Sequence, residues 1–223
     1  MSASRTEVTA GFLEELDRFT ALVRSLDDDE WSAASRCEGW TCADLAAHVT
    51  GTLTDILAGR FEGLGSPEVT EREVAERRGR TQAELADELA QDRAGASALL
   101  DAFDDAAWNG PAPAGIDGTL GDGIETLWFD TYVHAEDIRA AIGHAPEPGP
   151  GLAPSVRHLA SQLEQRGWGP ATLELTGFGR VEIGGGGSLV RAEPLDFVLA
   201  ASGRLDPAPL GLAPDVNVYA PTS

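Results

Sequence analysis

The chain has 223 residues, with 16 Lys plus Arg against 37 Asp plus Glu and a formal net charge of −21. Acidity of that size opposes attraction to nucleic-acid phosphates and anionic lipid surfaces, and no segment reaches the roughly 18 uninterrupted apolar residues of a membrane span. Neither nucleic-acid nor membrane partners are expected, and the length suffices for one large domain, or a main domain with a smaller appendage, around a conventional core.

The first element runs from about Glu7 to Leu26, where Phe12, Leu13, Leu16, Phe19, Val23 and Leu26 recur at the spacing of one helical face. A second helix is predicted from Thr41, a good N-cap with Asp44 at the third position and Trp40 and Leu45 placed as a hydrophobic staple. It extends to about Gly59 with Leu45, Val49, Leu53, Ile56 and Leu57 inward and His48 one step beside that stripe. Residues 61–80 contain glycine and much charge, and Glu71–Glu76, like Asp27–Glu30, reads as a solvated outward face. Thr81-Gln-Ala-Glu84 is a capping box ahead of Leu85, Leu89, Leu99, Leu100 and Phe103, which predicts a third helix. After a turn region at Asn109–Gly118, a fourth helix is predicted over Leu120–Ile142, with Ile124, Leu127, Thr131, His134, Ile138 and Ala141 at helical spacing.

Four prolines between Gly143 and Pro154 then mark a linker or rigid crossover. Beyond it a short helix is expected over Ser155–Arg166, followed by strand-like runs at Ala171–Thr176, Arg180–Ile183 and Leu189–Arg191, and by helical spacing from Leu195 to Ser202 with Gly203 as C-cap. The glycine run Gly184–Gly187 does not lie between a strand and a helix in a G-x-G-x-x-G pattern, so it reads as a turn rather than a phosphate cradle. The expected class is α+β, mainly α, with a helical bundle over residues 1–143, a Pro-rich linker over 144–154 and a small α/β domain over 155–223. The N-terminus leads into an amphipathic stretch rather than an apolar export signal. Cys37 and Cys42 make neither a multi-bridge framework nor a C-x-x-C pair, so the expected compartment is the reducing cytoplasm.

Two segments carry potential chemistry: Cys37-Glu-Gly-Trp-Thr-Cys-Ala-Asp-Leu-Ala-Ala-His48 and Asp130-Thr-Tyr-Val-His134-Ala-Glu-Asp137. Asp130 and His134 lie four residues apart, on one helical face, and with His48 from another helix they form the donor set of a zinc, nickel or iron site with open positions. Asp137, one turn on, is placed to accept the free ring N–H of a ligating histidine. His48 shares a stripe with Asp44, Thr52 and Asp55. Two histidines and an aspartate on helices also occur as surface or satisfied core groups, and spacing alone leaves both readings open. His144 and His158 receive no role. Cys37 reads as a packed thiol or as a nucleophile at a helix N-terminus, and no G-x-S-x-G elbow supports a serine hydrolase.

The run Trp31-x3-Ser35-x-Cys37-x-Gly39-Trp40-Thr41-x2-Asp44-Leu45-x2-His48, with Val133-His134-Ala-Glu-Asp137-Ile138-Arg139-x3-Gly143, resembles the mycothiol-dependent maleylpyruvate isomerase family. That family lies within the DinB-like metal-binding four-helix bundles, and the similarity extends over most of the chain. The resemblance implies a DinB-like four-helix bundle with a small C-terminal α/β domain, and a divalent metal, usually zinc, on His48, Asp130 and His134. In the best-known family pattern the acid is a glutamate, one methylene longer than Asp130. The resemblance further implies mycothiol or a similar thiol as cofactor, a small electrophilic substrate, and thiolate addition leading to isomerisation or conjugation. It matches Arg204 to a Gly-Arg that would bind a substrate carboxylate as a catalytic group; a surface arginine capping a helix is the alternative reading of Arg204. Two other functions stay open: a metal-dependent hydrolase or cyclase that needs no thiol, and a non-catalytic DinB-like binding or stress protein. Either a monomer or a homodimer is compatible with the sequence.

Overall fold

A computed structural model describes residues 4–113 and 118–220; Ala114–Asp117, part of the expected turn region, lie outside the described residues. They fall into two compact units, divided between Gly149 and Pro150.

The first unit contains α1 (Arg5–Ser25), the short α2 (Asp28–Ser32), α3 (Cys42–Leu57), α4 (Pro67–Arg77), α5 (Gln82–Ala102), the short α6 (Asp105–Trp108) and α7 (Leu120–Ala141). Each of the four long helices starts with a reciprocal capping box: Ser4 with Glu7, Thr41 with Asp44, Thr81 with Glu84, and Thr119 with Asp122. Each cap satisfies otherwise orphaned N–H groups and contributes on the order of 1 kcal/mol. The entry points of α1, α3, α5 and α7 are therefore set locally. Both α1 and α3 pack against α5 and α7, which closes a bundle of four helices. One half of its core gathers Phe19, Val23, Leu45, Leu89 and Ile138, and the other gathers Phe12, Leu16, Leu53, Leu100 and Trp128.

The charged stretch after α3 holds a helix that apolar periodicity does not show. Ser66 caps α4 and Pro67 opens it, and the helix lies along α3 with Glu73, Val74 and Arg77 buried. This corrects the reading of Glu71–Glu76 as an outward face, since Glu73 is 0% exposed. Two of the three buried side chains on α4 are charged, so the inward stripe carries almost no hydrophobic signal. Gly51 makes the close approach possible, because a Cβ there would stand 2.5 Å from Glu73 Cβ and 2.8 Å from its Cγ. Those atoms sit at the root of the side chain and cannot swing away, so α4 itself would have to move. Gly51→Ala is expected to cost about 1–3 kcal/mol in overpacking, exceeding the ~1 kcal/mol gained in helix propensity. Thermal unfolding that shows no loss in Tm would contradict the packing assigned to this pair.

Asp55 was placed on the His48 stripe by spacing, yet it points to Arg60 (Oδ1 to Nη2, 2.5 Å) and to Arg72. Burial opposes its ionisation, but the Arg72 and Arg60 guanidiniums outweigh that and hold its carboxyl below the usual range. Asp44 is likewise occupied, closing the α3 cap. Neither acid joins the candidate site.

The second unit comprises α8 (Leu152–Gln165), β1 (Ala171–Leu175), β2 (Gly179–Ile183), β3 (Ser188–Ala192) and α9 (Pro194–Ala201). β1 is central, antiparallel to β2 with Ala171 opposite Ile183, and parallel to β3 with Ala171 opposite Ser188. The α+β, mainly α class holds. Gly184, Gly185 and Gly186 all have positive φ and make the turn between β2 and β3. The unit boundary falls later than the expected start of the linker because Glu147 is tied back into the helices, accepting from Arg139 at 3.0 Å and from Arg18 at 2.5 Å. Likewise α8 begins before Pro154, which sits in the first helical turn where a missing N–H costs nothing. No helix among the described residues is long and apolar enough to cross a membrane.

Candidate metal centre

α3 and α7 pack side by side and bring His48, Asp130 and His134 together, with one ligand atom from each within 4.8 Å of the others. Asp130 stands between the two rings: its Oδ2 is 3.6 Å from His48 Nε2 and its Oδ1 is 3.4 Å from His134 Nε2. The rings meet edge to face, 5.3 Å between centroids. Both histidines are buried, whereas the Asp130 side chain is 31% exposed, so the cluster opens on the Asp130 side.

Each ring is held from behind by a buried carboxylate. His134 Nδ1 lies 3.0 Å from Asp137 Oδ2, and His48 Nδ1 lies 2.8 Å from Glu73 Oε2. Asp137 is 0% exposed and is itself held by Arg36, whose Nε donates to Oδ1 at 2.9 Å. The Cys37 thiol donates to Asp137 Oδ2 at 3.4 Å. Glu73 Oε2 also accepts from Thr52 Oγ1 at 3.2 Å, and Trp40 stacks obliquely on His48 with its Nε1 donating to Glu71 at 3.2 Å. Glu73 and Arg36 went unassigned in the sequence. Ser66-Pro67, a helix-start signal 6 residues before Glu73, was the available clue to α4.

The donor set fits a divalent cation on three grounds. Carboxylate–imidazole pairs fix the tautomer that leaves Nε2 free to ligate, and here both histidines are so oriented. The 3.4 and 3.6 Å separations are close to the ~3.4 Å edge of a tetrahedron with ~2.1 Å bonds. Finally, Glu73 is a fully buried carboxylate whose side chain bonds only to His48 and Thr52 among the described residues, with Oε1 lacking a hydrogen-bond partner. Positive charge on the far side of His48 would compensate it. Burial disfavours protonation of His134, but Asp130, Asp137 and Cys37 outweigh it and raise its pKa well above the ordinary value. The same acidic surroundings that hold a proton favour a metal cation.

Cys37 lies in the turn ahead of α3, beside Asp137, rather than within the helix's first turn. Cys42 is buried, and burial, with a smaller contribution from Glu30, pushes its thiol up to about 11. That suits a packed side chain and not a nucleophile. Arg204 belongs to the second unit, two residues after Ser202, the C-cap of α9, with Nη1 donating to the Ser202 carbonyl at 3.2 Å.

The sequence over residues 12–139, more than half of the chain, matches the family described as the mycothiol maleylpyruvate isomerase N-terminal domain. The chain belongs to this family. Two solved structures share the fold: the mycothiol-dependent maleylpyruvate isomerase, at 19% identity and a TM-score of 0.67, and a histidine-to-alanine mutant of it, at 18% and 0.68. Each likeness covers 91% of this chain and 90% of the other. No curated protein matches the chain. Within the isomerase N-terminal domain family, His48, Asp130 and His134 of this member all fall inside the matched residues, and Arg204 falls outside them.

Proposed function

We propose that this protein is a divalent-metal-dependent enzyme that uses a low-molecular-weight thiol, mycothiol or a close relative, to isomerise or conjugate a small electrophile. The observation that carries this is the pair of histidines whose Nε2 atoms face one carboxylate while Glu73 and Asp137 lock their Nδ1 atoms. The family membership supports the thiol. His48, Asp130 and His134 would hold a divalent ion, zinc before nickel or iron, which would supply the Lewis acidity that lowers the pKa of a thiol.

The chain's own residues have defined tasks in this reading. Glu73 and Asp137 orient the two rings and fix the tautomer that presents Nε2. Arg36 salt-bridges Asp137 and holds in place the carboxylate that orients His134. The exposed edge at Asp130 is where thiol and electrophile enter. Addition of the thiolate to an activated double bond forms a C–S bond and leaves an enolate with a rotatable single bond; elimination of the thiolate then returns the isomer, whereas protonation of the enolate by solvent, with the thioether retained, gives a conjugate. Arg204 is the candidate to bind a substrate carboxylate, and Arg204→Ala is expected to raise KM for carboxylated electrophiles while leaving neutral ones unchanged.

Calorimetric titration with mycothiol tests the proposal. Saturable binding is expected in zinc-loaded protein, and at least tenfold weaker binding, about 1.4 kcal/mol, in metal-free protein and in His48→Gln. Equal affinity in all three would overturn the thiol assignment. Metal-dependent turnover that proceeds fully without thiol would replace it with the hydrolase or cyclase reading.

A further inference from the structure

The electrophile's remaining bulk has a place in the same bundle. Beside the histidines, a narrow cleft is lined by Thr52, Asp130 and Thr131 together with Phe12, Leu53 and Leu127. Those last three residues also line a larger chamber enclosed by α1, α3, α5 and α7. Its other walls include Ile56, Leu57, Phe61, Leu99, Phe103 and Ile124, and every lining residue is apolar. Leu127 is three residues from Asp130 on α7 and Leu53 is five from His48 on α3, so the chamber begins roughly 5–8 Å along these helices from the metal ligands. Its free volume of about 70 Å³ holds on the order of five water-sized groups, the bulk of a phenyl ring or a short alkyl chain.

Bundle cores normally close such space. Here Ile56 and Leu57, expected inward, remain only half-buried, and Leu99 on α5 is 37% exposed at the chamber's edge. A carboxylate entering it would meet no cation among the lining residues.

We infer that the substrate is an electrophile with an apolar tail or ring, whose reactive carbon lies at Asp130 and whose hydrophobic body occupies this chamber. The inference rests on the thiol-transfer reading for the reactive end only; binding of the tail stands on the chamber itself. A dicarboxylate of comparable size is excluded from the chamber by desolvation. Each methylene placed there should add about fourfold in affinity until the space is filled.

The test uses unsaturated methyl ketones with alkyl chains of about two to six carbons, and their unreactive saturated counterparts, on zinc-loaded full-length protein. For the saturated ketones, affinity by calorimetry is expected to rise about fourfold per methylene and then level off. With mycothiol and the unsaturated series, kcat/KM should follow the same slope. Ile56→Trp, which fills the chamber, and Leu99→Lys, a rim substitution at an exposed position, should each flatten the dependence of affinity and kcat/KM on chain length. Chain-length-dependent binding without turnover would retain the chamber and remove the thiol-transfer reading. Turnover with no chain-length dependence, unchanged in both variants, would overturn the chamber assignment and leave the enzyme reading standing.

Discussion

His48→Gln and His134→Gln should each reduce bound zinc from about one equivalent to almost none, measured by elemental analysis after exhaustive dialysis against weak chelator. Three donors are the minimum that holds a catalytic zinc, and a site reduced to one imidazole and one partly exposed carboxylate does not retain it. Glutamine is preferred to alanine because it leaves a polar group for the buried Glu73 or Asp137; removing the partner outright would add ~3–5 kcal/mol of destabilisation and confuse folding with metal loss. Full metal content in either variant would remove that histidine from the site. The acidity of the surroundings adds a pH signature. In metal-free protein the raised His134 pKa means that the folded state holds a proton the unfolded chain releases, above the unfolded value near 6.5. Its contribution to stability is therefore full below that pH and is lost as pH rises through the raised folded value. Metal uptake runs the other way, since the cation must displace that proton and binds more tightly as pH rises. Metal-free protein should lose Tm from this group as pH rises above about 6.5 while zinc affinity increases; parallel trends would contradict the protonation assigned to His134.

Asp137→Asn is the second large effect. Asp137 is fully buried, bridges His134 Nδ1 and the Arg36 guanidinium, and accepts from the Cys37 thiol. Asparagine preserves its shape but removes the charge, leaving Arg36 without its carboxylate and His134 with a weaker orienting acceptor. Loss of such a supporting carboxylate costs about 10–100-fold in metal affinity, and breaking the buried pair costs ~3–5 kcal/mol of stability. Zinc affinity in competition with a chromophoric chelator and urea unfolding of the metal-free variant measure the two separately. A variant with lowered stability and unchanged zinc affinity would make Asp137 a structural strut for the turn before α3 and nothing more.

Local chemistry determined a great deal here without help from the fold. Capping boxes at Thr41 and Thr81, and the apolar stripes of α1, α3 and α7, act within a few residues, so the four long helices are readable from the chain. The i, i+4 geometry of Asp130 and His134 and the i, i+3 step to Asp137 are properties of one helix, and they too were visible in advance. Gly203 after α9 and the breaks around Gly143–Pro154 belong to the same class of local signal.

Only the tertiary structure decided which charged residues left solvent. Glu73 sits in a run of acids with nothing to distinguish it from Glu71 or Glu76; it is buried because Gly51 lets α4 approach α3 and because His48 is there to meet it. Asp44 and Asp55 share the His48 stripe yet are drawn away, one to a helix cap and the other to Arg60 and Arg72. Arg36 reaches Asp137 across 101 positions of sequence, and the apolar chamber exists only where four helices fail to close. Periodicity reports the face a side chain occupies on its own helix, and it carries no information about which partner the packing brings to that face.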